Sequence, residues 1–197
     1  METELIVGLL VVAAVVIVGA VAALMYWQKR RSDELAQQYG PEYHRVVEEQ
    51  GDRRKAEHEL ATRRDRVREL EIRPLDPDHA RSYRTRWDEV QAAFVDRPGE
   101  AIGDADRLVE EVMEERGYPV GDFDRMAEDV SVDHPRVVDH YRSAHAVAVR
   151  HSQEDVDTEV LRRAIVDYRA LFDELLETDE GPVESTDETP QPVRTSR

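Results

Sequence analysis

The sequence predicts an all-α protein: an N-terminal single transmembrane helix, a charged stalk helix, then a small soluble helical bundle. Three observations lead to that expectation. An uncharged, proline-free run of 23 residues, Leu5 to Trp27, lies near the start of the chain. Downstream, apolar residues recur at steps of three and four, the spacing of a helix face. No segment alternates apolar and polar with period two, so no strand is expected.

The first helix covers 5–27, after a short extension, 1–4. At about 1.5 Å per residue it is about 35 Å long, enough to cross a hydrocarbon core of about 30 Å. A core helix of a water-soluble domain would carry a polar face, and this run has none. Tyr26 and Trp27 close it, where amphipathic rings favour the headgroup layer. A cleaved signal peptide would need a basic start and small residues before the cut. Here Glu2 and Glu4 precede the run, and Leu24, Met25, Tyr26 and Trp27 end it. Lys29, Arg30 and Arg31 follow directly, and positive flanks stay on the cytoplasmic side. The expected location is therefore a cell membrane, single-pass, N-terminus outside and the C-terminal domain cytoplasmic. The absence of cysteine agrees with a reducing compartment. Within the run, Gly19 and Ala23 form a small-xxx-small pair, a means by which two spans could pack as a homodimer.

The net charge of −17 is unevenly spread. Residues 1–73 hold 12 Lys and Arg against 13 Asp and Glu; residues 74–197 hold 15 Arg against 31 acids and so carry −16 of the total. A domain this acidic is repelled by nucleic-acid phosphates and by anionic headgroups, so the expectation is no nucleic-acid partner.

Residues 28–73 read as a juxtamembrane segment and stalk. Gly40-Pro41 interrupts the first helix, glycine ending one and proline starting the next. From 41 to 72 a single stalk helix is expected. Of the 24 residues 48–71, 15 are charged, eight acidic and seven basic, many three or four apart. Tyr39, Tyr43, Val46 and Val47 form a short apolar stripe. Ala56, Leu60, Val67 and Leu70 form a thinner one, a seam for a weak coiled-coil homodimer.

Residues 74–178 read as an acidic helical bundle. Pro74 stops the stalk; Asp76-Pro77 supplies a cap and a first-turn proline. Tyr83, Trp87, Val90 and Phe94 follow on one face. Asp96-Arg97-Pro98 opens the next helix, with Ala101, Ile102, Ala105, Leu108, Val109, Val112 and Met113 inward and an end at Gly117. Asp122 caps a short helix through about Asp129. Asp133-His134-Pro135 opens a helix whose stripe includes Val138, Tyr141, Ala144 and His145. Asp157 or Thr158 opens the last, whose Leu161, Ile165, Tyr168, Phe172 and Leu176 make the strongest apolar face. About 100 residues suffice for one core, and the part is expected to fold alone. The Asp-, Glu-, Thr- and Pro-rich tail, 179–197, is expected to be disordered.

Three stretches carry a resemblance. They are Tyr83-Arg84-x-Arg86-Trp87 through Pro98, Ala105-Asp106 through Arg116-Gly117-Tyr118-Pro119, and Ser131-Val132-Asp133-His134-Pro135 through Tyr141-Arg142-x-Ala144-His145; Tyr168-Arg169-x-Leu171-Phe172 extends them. This half of the chain resembles an uncharacterised family of small bacterial membrane-anchored or secreted helical proteins. The resemblance implies domain boundaries and no activity.

Candidate chemistry is thin. His134, His140 and His145 share one expected helix, but ligands on one helix must lie three or four residues apart to meet one ion. The spacings are six and five, so neither a metal nor a cofactor is expected. His145 reads as a core histidine bonded to a neighbouring helix, and His134 as a first-turn residue near a cap. Asp122, Asp124, Asp129 and Asp133 cluster around the short helix, where aspartates ordinarily cap free N–H groups. No Walker loop, GxSxG or GxGxxG occurs. The leading expectation is a membrane-tethered, non-enzymatic interaction (adaptor or scaffold) module, anchored in a lipid bilayer through 5–27, with a basic protein partner. The alternatives are a hydrolase or metal-dependent enzyme built on the His and Asp residues of 122–145, with His134, His140 and Asp124 as catalytic candidates, and a small-ligand sensor domain.

Overall fold

A computed structural model describes residues 2–177, with the side chains of 2–15 and 28 outside the description. The expected tail, 179–197, lies outside the described residues, and so do the side chains of nearly half the expected span. Among the described residues no helix is long and apolar enough to cross a membrane. The described chain is all-helical. Helix α1 (Glu2–Tyr39) is followed by α2 (Pro41–Gln50), α3 (Arg53–Arg68), α4 (Pro77–Asp96), α5 (Pro98–Arg116), α6 (Phe123–Asp133), α7 (Val138–His151) and α8 (Thr158–Leu176).

The expected stalk over 41–72 is corrected: it is two helices folded back on the first. Gly51 has φ 62° and ends α2, returning its N–H to the Val47 carbonyl; the Asp52 side chain then caps α3 by accepting from the N–H groups of Arg54 and Lys55. A single helix could not pass a left-handed residue. The driving force is the sparse apolar stripe. Leu35 and Tyr39 of α1, Tyr43 and Val46 of α2, and Ala56, Leu60 and Val67 of α3 bury together as a small core. That burial occupies Ala56, Leu60 and Val67 of the α3 stripe within the chain. The Tyr39 hydroxyl donates to the Leu60 carbonyl at 2.9 Å, and Ser32 bonds Glu57. So α2 descends along α1 and α3 climbs beside it, placing the α2–α3 turn near Lys29.

The larger core belongs to α4, α5, α6, α7 and α8. Trp87 stacks on Phe172 with ring centroids 4.6 Å apart, and Tyr141 meets Tyr168 edge to face. Asp76, Asp122 and Asp157 cap their helices through side-chain oxygens. Gly117 closes α5 with φ 97°; a Cβ there would lie 2.6 Å from the Glu71 carbonyl oxygen. Helix α6 joins the two cores: Met126, Ala127 and Val130 face the bundle and Val132 the hairpin.

One boundary moves. Asp133-His134-Pro135 ends α6 instead of opening α7. The residue before a proline avoids the helical region, and His134 sits at φ −123°, ψ 52° as the C-cap, its N–H on the Val130 carbonyl. Helix α7 begins three residues later, at Val138.

Candidate functional site

The three catalytic candidates do not converge. His134 ends α6 and its Nδ1 lies 3.2 Å from a Glu174 carboxylate oxygen of α8. His140 stands on α7, exposed, with Nδ1 2.6 Å from Asp167. Asp124 is exposed in the first turn of α6, where an acid complements free N–H groups. Clefts open at the base of α1 and α3, along α4 and α5, between α3 and α6, and where α5 meets α8; none of these is lined by His134, His140 or Asp124. Among the described residues no group of three His, Asp or Glu side chains is placed to hold a metal ion.

Two other constellations are built. The smaller centres on Asp106 of α5. Its carboxylate accepts from the Tyr168 hydroxyl at 2.7 Å and lies 3.3 Å from His145 Nδ1. Phe123 covers the imidazole face, rings stacked 3.7 Å apart and within 7° of parallel. Burial, and then the Asp106 charge, raise the Glu110 carboxyl above its ordinary range. Burial pushes the Tyr141 and Tyr168 hydroxyls up as well, so both are neutral at physiological pH and neither is an activated nucleophile. The cluster clamps α5, α7 and α8 together.

The larger is an ionic seam between hairpin and bundle. Glu42 of α2, fully buried, meets three guanidiniums: Arg45 at 2.7 Å, Arg63 of α3 at 3.0 Å and Arg142 of α7 at 2.8 Å. Arg63 is itself buried and also reaches Glu59 and Glu128. Arg66 completes the seam, donating to the fully buried Asp129 at 2.6 Å and to Glu128 at 3.0 Å. Burial pushes the Glu42 carboxyl up, but the guanidiniums of Arg45 and Arg142 more than offset it, leaving Glu42 below the usual carboxylate range. Helix α3, read from sequence as part of a charged stalk, therefore docks through its arginines onto α6, while Glu42 of α2 reaches Arg142 of α7.

Comparison with protein-family models, curated proteins and solved structures finds no match. The motifs behind the resemblance have structural roles here. The Tyr118 hydroxyl of the Arg116-Gly117-Tyr118-Pro119 turn donates to Asp133 at 2.8 Å, and Arg116 donates to the Leu175 carbonyl. The two motifs thus lock to each other around the start of the α6–α7 turn.

Proposed function

We propose that this chain is a membrane-tethered, non-enzymatic protein-interaction module, anchored by one span over residues 5–27, with the N-terminus outside and the helical body cytoplasmic. The carrying observation is the bare part of α1. Val16, Ile17, Val18, Val21, Leu24, Met25, Tyr26 and Trp27 are 49–75% exposed. At 100° per residue they ring the whole helix, and no other element of the described chain covers them. A continuous apolar surface of this kind needs a partner other than water; its described part, 16–27, is about 18 Å long, and the uncharged run of the sequence from Leu5 extends it to about 35 Å, the reach of a bilayer core.

The interaction role rests on the charge split. The body carries most of the negative charge on its outer faces, with exposed acids such as Asp88, Glu111 and Glu114 around a closed core. Such a field speeds encounter with a basic protein surface. His134 and His140 stand against different acids, Glu174 and Asp167, and Asp124 is exposed at the start of α6, which supports the non-enzymatic reading over a hydrolase that uses those three together.

Protease added to intact cells should leave the C-terminal body whole, and protease added to inverted vesicles should digest it; the reverse pattern would overturn the topology. For the partner, the association rate of a captured complex should fall between low and physiological salt. A salt-independent rate would remove electrostatic steering.

A further inference from the structure

The fold-back of α2 and α3 gives the end of the apolar helix a second basic wall. A cleft of about 480 Å³ opens there, lined by Met25, Lys29, Arg31 and Ser32 of α1 and by Arg53, Arg54, Glu57 and His58 of α3. Its acid is already engaged: Glu57 accepts from Arg53, Tyr43 and Ser32, and although burial pushes its carboxyl up, those donors hold it below the usual range. Of the acids around it, Asp33 is exposed and makes no ion pair among the described residues, and the others are occupied. Glu34 pairs with Arg30 and Glu49 with Arg45, and Asp52 is turned onto the α3 backbone. Among the described residues no acid pairs with Lys29, Arg31 or Arg54. Three cations from two helices therefore face one cleft, and its apolar edge is Met25. Lys29 stands two residues past Trp27, at the depth where headgroup phosphates lie if the first helix spans.

Resting on that reading of α1, we propose that the cleft binds the headgroup of an anionic phospholipid, its phosphate received by Lys29, Arg31 and Arg54 and its glycerol region by Met25. This differs from an ordinary positive flank, because Arg54 comes from α3 and reaches the leaflet only through the hairpin. The hairpin thus docks on the leaflet that the acidic bundle avoids.

The test uses the full chain in phosphatidylcholine bilayers containing equal fractions of brominated phosphatidylcholine or brominated phosphatidylglycerol. Bromine quenches tryptophan at short range. Trp27 is exposed at the leaflet and Trp87 is buried in the bundle, so quenching reports Trp27. Brominated phosphatidylglycerol should be preferred about five-fold, the worth of one engaged cation at the surface. Lys29→Gln/Arg31→Gln/Arg54→Gln should bring the preference to parity, and Arg54→Gln alone should at least halve it. Equal quenching in the wild type, or no change with Arg54→Gln, would overturn the cleft while leaving the span intact. Quenching by neither lipid would remove the span, and the headgroup site with it. Loss of the preference on adding inorganic phosphate would assign the cleft to a soluble anion and overturn the lipid assignment.

Discussion

Replacing Glu42 by Gln removes the one carboxylate that three arginines share. The isostere keeps shape and some hydrogen bonding, so the loss is charge alone. Removing one partner of a buried ion pair costs about 3–5 kcal/mol. The structure places this case at the lower end, because each arginine keeps a second acid: Arg45 keeps Glu49, Arg63 keeps Glu59 and Glu128, and Arg142 keeps Asp139 at 3.1 Å. About 3 kcal/mol corresponds to a hundred-fold or greater change in an opening equilibrium. Amide hydrogen exchange on the full chain in detergent micelles reads it element by element. Protection in α2 and α3 should fall about a hundred-fold, while α8, whose apolar face packs in the other core, should keep its protection. Glu48→Gln, at an exposed position nearly two turns along α2, should change nothing. A fall below ten-fold in α2 and α3 would refute the central place given to Glu42. An equal fall in α8 would refute the separation of the two cores.

The same carboxylate gives a pH dependence. Its folded value lies below the ordinary unfolded value of about 4.3, so its contribution is present above that pH and lost as pH falls through the lowered folded value; α2–α3 protection should drop on acidification more steeply in the wild type than in Glu42→Gln, where only Glu57 and the cap Asp52 still lose their held charge. Trp87→Ala or Phe172→Ala should each lower stability by about 3–5 kcal/mol in denaturant titration, with a coupling of about 1 kcal/mol in the double variant from the stacked pair; losses under about 1 kcal/mol at both would misplace the core. Gly117→Ala should cost about 1–3 kcal/mol by the same titration, because a side chain there meets both a positive φ and the Glu71 carbonyl. His140→Ala should stay within about 0.5 kcal/mol of wild type, since the ring is exposed on α7.

Most of the bundle was legible because its signals are local. Asp76-Pro77, Asp122 and Asp157 each sit beside the N–H groups they cap, and Gly117 sits at the end it makes. His145 was readable as a core histidine bonded to a neighbouring helix, although the identity of Asp106 was not. The hairpin was misread for a physical reason. A helix dense in opposite charges at i and i+4 looks solvated, and the left-handed turn at Gly51 was passed over within that pattern. The seam was illegible altogether. Glu42 finds Arg63 and Arg142 at 21 and 100 residues' distance, and nothing local distinguishes these from the other charges of a chain with 44 acids and 27 bases. Proline misled once: Pro135 was read as opening a helix, whereas its effect on His134 closes one.

Helix α1 runs without a break from Glu2 to Tyr39, and its last turns form a wall of the hairpin core. The body is therefore mounted on a rigid lever, with no hinge between the apolar half and the docked half. Tyr39 stands twelve residues past Trp27, about 18 Å along the axis. A tilt of about 20°, common for a single helix in a bilayer, would swing that point sideways by about 6 Å. A turn of the helix by one residue would rotate the seam, and the α6–α7 surface behind it, by about 100°. Whatever sets the angle of the first twenty-seven residues also sets the direction in which the acidic bundle faces.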